Sequence, residues 1–147
     1  MAVCTFFGHR DCPDTLETQL REVLTTLITQ YEVDMFYVGN QGQFDGIVRR
    51  VLKEYKKKYA WIEYAVVLAY MPGVKSEYDD VSDTMLPEGI EAVHPRYAIS
   101  WRNRWMLQRS DYVVTYVTHP WGGAARYAND AAKKGKKLIN LERSRIG

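Results

Sequence analysis

The chain opens on Ala2-Val3-Cys4-Thr5-Phe6-Phe7-Gly8-His9-Arg10, and this stretch decides how the rest is read. The apolar run from Ala2 to Phe7 is short and bounded by a glycine, the pattern of a buried β-strand. Gly8 lets the backbone come close to whatever lies beyond the strand, and a base-capable ring and a permanent cation follow at once. Downstream, Leu16, Leu20, Val23, Leu24, Leu27 and Ile28 recur at helical spacing, which predicts a helix from Leu16 to Tyr31 with Asp14 or Thr15 as its N-cap. A strand that feeds an amphipathic helix is the unit of an α/β sheet, and such sheets bind ligands beyond the carboxyl ends of their strands. A His and an Arg at that position suit an anionic group such as a phosphate.

The unit recurs along the chain. Asp34 to Val38 is a second strand, closed by Gly39-Asn40-Gln41-Gly42, and Phe44 to Tyr59 is a second helix with apolar Phe44, Ile47, Val48, Val51, Leu52 and Tyr55. Its last turns carry Lys53, Lys56, Lys57 and Lys58, where cations complement the helix dipole. Ala65 to Tyr70 is a continuous apolar strand. Met71 to Val93 shows no period, contains Pro72, Gly73, Pro87 and Gly89, and is acidic, so residues 71–94 are expected to form a long irregular loop that acts as a lid over the site. Pro95 opens a short helix through Arg109. Asp111 to Val117 is a fourth strand, His119-Pro120-Trp121-Gly122-Gly123 a turn, Ala124 to Lys134 a helix ended by Gly135, and Lys137 to Leu141 a fifth strand. The alternation predicts one α/β domain over residues 1–147: a Rossmann-like, doubly wound, mostly parallel five-stranded sheet with helices on both faces.

At 147 residues the chain suits one domain with a sizeable core and is too short for two. A net charge of +2 does not favour nucleic acid as a partner, although Arg96, Arg102, Arg104 and Arg109 could form a basic stripe. No apolar stretch approaches the ~18 residues of a membrane span and no signal peptide is seen. Cys4 and Cys12 lack metal-ligand or disulfide-framework spacing, and His9, His94 and His119 are scattered, so neither a metal nor a cofactor is expected and a cytoplasmic setting fits. The high count of rings, 11 Tyr and 4 Trp, allows some to stack on a planar ligand and others to mediate a homo-oligomer.

Three strand ends bear glycines, which points to one shared cleft. Gly122 and Gly123 precede a helix of small residues beginning at Ala124, whose free N–H groups can hold a phosphate or simply close a tight turn. Gly39, Asn40 and Gly42 free the backbone after the second strand. Asp45 either complements the helix dipole or accepts from a ribose hydroxyl or a nucleobase amine, and it is also a weak catalytic candidate. Arg102, with Asn103, can reach anionic oxygens from the helix before the fourth strand. Trp101 and Trp105 share one face of that helix and read as core, and Asp111 reads as a cap or ion pair. The spacing at Gly8 and Gly39 is not that of a dinucleotide-binding fingerprint.

Phe7-Gly8-His9-Arg10, Gly39 to Asp45, Arg109 to Val114, and Gly122-Gly123-Ala124 followed by Ala131 to Lys137 together resemble the SLOG superfamily, which links DNA-processing Smf/DprA proteins with LOG-type nucleoside phosphoribohydrolases. The chain is most similar to short, stand-alone members that open on a strand ending in Gly-His-Arg. The resemblance implies a Rossmann-like fold that binds nucleotides or nucleotide-derived signals, with Gly8, His9, Arg10, Gly39, Asp45, Gly122 and Gly123 lining the pocket. LOG-type enzymes carry Gly-Gly-x-Gly-Thr-x-x-Glu. Here Ala125, Arg126 and Asn129 stand at the third Gly, the Thr and the Glu. An amide cannot replace a carboxylate in glycosidic-bond cleavage. The expected function is therefore a sensor or sequestering domain for a nucleotide or ADP-ribose-like ligand. The alternatives are a nucleotide N-glycosidase that draws its carboxylate from Asp45 or from the Glu77 to Asp83 segment, and a DprA-like DNA module.

Overall fold

A computed structural model describes residues 2–71 and 82–141. Six strands form one all-parallel sheet: β1 (Ala2–Gly8), β2 (Val33–Val38), β3 (Glu63–Val67), β4 (Thr84–Met85), β5 (Tyr112–Tyr116) and β6 (Lys137–Asn140). Their order is β4-β3-β2-β1-β5-β6. Four α-helices cover it: α1 (Leu16–Thr29), α2 (Gly42–Lys58), α3 (Ala98–Gln108) and α4 (Gly123–Lys133). The architecture is Rossmann-like, and every helix and every long strand lies within a few residues of its expected position.

The pleat of β1 explains the two layers. Successive side chains of a strand point to opposite faces. Cys4 and Phe6 join Leu16, Leu20, Leu24 and Leu27 of α1 and Phe44 and Val48 of α2 in one buried cluster. Phe7 points the other way and packs with Met106 and Leu107 of α3 and with Tyr127 and Ala131 of α4. Each fully buried Leu or Phe contributes about 1.5–3 kcal/mol, so the helical period of α1 and the alternation in β1 describe the same core from its two sides.

The sheet has six strands where the sequence pattern predicts five. The extra strand, β4, lies inside the segment expected to be an irregular loop. Thr84 pairs with Val66 and Met85 with Val67. Two residues are too few to carry a period, and what holds them is backbone bonding: Val66 N–H donates to Asp83 O at 2.7 Å and Leu68 N–H to Met85 O at 2.8 Å. Asp83 is pinned there by Arg49, whose Nη2 lies 2.6 Å from its Oδ1, and by the Tyr64 hydroxyl at 3.0 Å from Oδ2. A 3-10 turn, Ile90–Ala92, follows. Residues 72–81 of the expected lid lie outside the described residues.

One local expectation is met in part and another is corrected. Thr15, one of the two expected residues, is the N-cap of α1, but with helical dihedrals and no side-chain hydrogen bond, while Asp14 Oδ1 accepts from Gln43 Nε2 at 3.1 Å. The two tryptophans of α3 do not share one core: Trp101 packs with Ile90 and Ala98, whereas Trp105 meets Tyr37 edge-on. Asp111 bonds to β1, accepting from Val3 N–H through Oδ2 at 3.0 Å. Cys4 and Cys12 are buried free thiols, the second pushed up to about 11 by burial and by neighbouring carboxylates. Among the described residues no helix is long and apolar enough to cross a membrane.

Candidate ligand cleft between the first and fifth strands

β1 and β5 are neighbours, with Gly8 opposite Tyr116. The helix after β1 packs on one face of the sheet and the helix after β5 on the other. The loops leaving these two strands therefore diverge, and a crevice opens where they part, the switch point at which open α/β sheets take ligands. A cavity of about 540 Å³ occupies that place, within the range of small-molecule sites.

Gly8, His9 and Arg10 line it from the end of β1, Gly122, Gly123 and Ala124 from the start of α4, Asp45 from α2 and Arg102 from α3. Those sequence-predicted residues are brought together, although the chain separates them by up to 116 positions. Gly39, Asn40 and Gly42 are not on the wall. They lie behind it: Asn40 Oδ1 accepts from Arg102 Nη1 at 3.2 Å, and Gly42 backs onto the Arg10 backbone, whose carbonyl accepts from Gln43 N–H at 2.8 Å.

Arg102 is the largest fully buried side chain, 1% exposed. A buried guanidinium must find acceptors. Its Nη1 donates to Val67 O at 2.8 Å and its Nε to Asn103 Oδ1 at 2.8 Å. Burial lowers its pKa, and the charges of Asp45, Tyr127 and Tyr70 oppose that shift. Asp45 stands near without closing an ion pair; its Oδ2 accepts from Gln41 N–H at 2.9 Å. Burial pushes the Asp45 carboxyl up to about 6, against the Gln41 hydrogen bond and the Arg102 charge. Gly39 makes this meeting possible: a Cβ there would lie 2.8 Å from Asp45 Oδ2 and 3.1 Å from Arg102 Nη1.

Arg10 is different. It is exposed at the mouth, and among the described residues its guanidinium makes no hydrogen bond or ion pair. The first turn of α4 has no side-chain cap, so its N–H groups and positive dipole end are open to an anion.

His9 is on the wall and also has a structural contact. Its Nε2 accepts from Thr118 N–H at 3.0 Å, which ties the end of β1 to the loop after β5. That acceptor role requires the neutral ring with its proton on Nδ1. Burial and then the charge of His119 lower its pKa in the same sense. His119 stacks on it at 3.7 Å between centroids and 10° between planes. His119, Thr118, Gln41, Asn103 and Tyr127 also line the cleft, with Asp11, Tyr116 and the apolar Phe6, Phe7, Ile99 and Met106; of these only Asn103 was legible as a cleft residue, and the position of His119 three residues before Gly122 is the signal that could have flagged it.

The described part of the loop, residues 82–94, contributes nothing to the wall. Asp83 is paired with Arg49, and Glu77, Asp79 and Asp80 lie outside the described residues. Asn129 and Asp130 are also absent from the wall. Arg102 is buried and drops out of the expected basic stripe, whereas Arg96, Arg104 and Arg109 are exposed, the last lying over the Trp105 ring at 4.1 Å.

Comparison with solved structures decides the fold. DNA processing protein A (DprA) from Streptococcus pneumoniae superposes on 94% of this chain with a TM-score of 0.68 at 13% sequence identity. The chain has a DprA-like fold. It spans 49% of that protein, about half its length. No model of a known protein family matches the chain, and no curated protein matches it. The DprA-like fold agrees with the SLOG resemblance of the sequence at the level of fold; it does not distinguish a stand-alone member.

Proposed function

We propose that this chain binds a nucleotide or a nucleotide derivative such as ADP-ribose, in a sensing or sequestering role. The observation that carries the reading is the cleft itself: an uncapped helix N-terminus at Gly122 to Ala124, a free cation on Arg10, and a half-buried carboxyl on Asp45, all around one cavity of about 540 Å³. The first two suit a phosphate and the third suits a sugar hydroxyl or a base amine. Arg102 supplies a fixed positive field from below.

One observation favours hydrolysis instead. A carboxyl held near 6 in a cleft is poised for general acid–base work, and Asp45 would serve an N-glycosidase in place of the glutamate that this chain lacks at Asn129. A single experiment separates the two. Purified protein is melted with a panel of nucleoside monophosphates, cyclic nucleotides and ADP-ribose, and the same samples are chromatographed. A ligand that raises the melting temperature and is recovered intact supports the binding function. Recovery of free base and ribose phosphate would assign hydrolysis. No stabilisation by any member of the panel would sink both.

A further inference from the structure

Three rings form a continuous stack that starts on the wall of the cleft, at His9 and His119, and runs outward to Trp121, which lies beyond the wall next to Gly122. His9 lies on His119 at 3.7 Å and 10°, and His119 lies on Trp121 at 3.9 Å and 22°. The stack is anchored at its inner end, because His9 accepts the Thr118 amide hydrogen and its ring also meets Tyr116 edge-on. It ends in Trp121, which is 66% exposed although one face is covered by His119. The indole's only ring contact among the described residues is that one, so its outer face is open to solvent. Trp121 immediately precedes Gly122 and Gly123, the uncapped start of α4.

An exposed indole held flat in this way is preorganised for a planar partner. The ring orientation is already set by the stack, so little freedom is lost when a second ring is laid on it. The other highly exposed tryptophan differs on both counts. Trp61 is 61% exposed, but it meets Tyr59 edge-on and sits between α2 and β3, at the opposite end of the sheet from the cleft.

We propose that Trp121 is the base platform of the cleft: the nucleobase of the bound ligand stacks on the outer face of its indole, as a fourth ring on the His9–His119–Trp121 column, while the phosphate sits at the N-terminus of α4. This rests on the nucleotide-binding reading and adds to it that the ligand carries an intact base at the mouth.

The test titrates AMP and ribose 5-phosphate separately into the full chain by calorimetry, in the wild type, Trp121→Ala and Trp121→Phe, with melting curves to confirm folding. Stacking of one base on an aromatic side chain corresponds to roughly 5- to 150-fold in affinity. The wild type should bind AMP tighter than ribose 5-phosphate by a factor in that range. Trp121→Ala should erase the advantage while ribose 5-phosphate binds as before, and Trp121→Phe should restore part of it. Unchanged AMP affinity in Trp121→Ala overturns the platform, as does an equal loss for both ligands. Binding of ribose 5-phosphate with no gain from the base overturns the platform and keeps the phosphate site. Failure of both ligands to bind the wild type overturns the platform, and the nucleotide reading falls with it only if no member of the wider panel raises the melting temperature.

Discussion

Asp45 and Arg102 approach each other across Gly39 without pairing, and this sets how the protein responds to pH. The folded state holds the Asp45 proton up to about pH 6, whereas an unfolded aspartate releases it near 3.8. Between those values the folded state binds more protons than the unfolded one, so stability falls as pH rises through the window. Asp45→Asn keeps the shape and removes the titration. The stability of wild type minus that of Asp45→Asn should therefore fall by about 1 kcal/mol between pH 5 and pH 7, measured by urea denaturation at each pH. Because His9 titrates alike in both proteins, its contribution cancels in the difference. A difference that does not change with pH would show that the Asp45 carboxyl is not shifted. Arg10 is the complementary case, a cation with nothing to satisfy in the described structure. Arg10→Ala should weaken nucleotide binding by about 1.5–3 kcal/mol, the range for a charge-assisted hydrogen bond, and leave the melting temperature of the free protein unchanged. A variant that melts early, or binds as well as the wild type, would show that Arg10 serves the fold or nothing at all.

Where β1 meets α2, the end of a strand and the start of a helix are packed too closely for any side chain. A Cβ on Gly8 would fall within the Phe44 ring, and Phe44 is fully buried. Gly8→Ala should destabilise by about 1–3 kcal/mol, the range for overpacking a filled core. Phe44→Leu in the same chain should recover part of that loss, a coupling that a double-mutant cycle in urea would read; simple additivity would show that the ring moves aside without cost. This contact also marks what the sequence could and could not say. Gly8 was legible as a close approach after a strand, but the approach was assigned to a ligand, whereas half of its reason is Phe44. The long elements were legible because burial imposes a period on them: Leu16 to Ile28 on α1, Phe44 to Tyr55 on α2. β4 was not, since its two residues are held beside β3 by backbone bonds from Val66 to Asp83 and from Leu68 to Met85, which leave no mark on side-chain choice. Likewise Gly39, Asn40 and Gly42 were recognisable as a special turn. That the turn supports Arg102 and Arg10 from behind depends on contacts across more than sixty residues for Asn40, which spacing along a chain cannot reveal.

At the scale of the whole molecule, the switch point between β1 and β5 brings Arg10, Arg102 and the open start of α4 around one crevice. The sequence allows a DNA module as an alternative, and the placement of cations bears on it. The distribution of cations argues against a polymer track. The net charge is only +2, Arg102 is buried beneath the cleft, and Arg49, Arg21 and Arg50 are engaged with Asp83, Glu17 and Glu54 on their own helices and neighbours. Binding that neutralises Z phosphates of a single strand weakens with salt at a slope of about −0.7Z on logarithmic axes. A site built for one nucleotide at Arg10 and α4 engages one or two phosphates, so its slope should stay near or above about −1.5, and lengthening the ligand from a mononucleotide to a labelled oligonucleotide should add little affinity. Fluorescence anisotropy of a labelled single strand between 50 and 200 mM salt would check both. A steep slope, with affinity that grows with strand length, would mean that the cleft is one stop on a longer nucleic-acid track, and that Arg10 and Trp121 hold the end of a chain.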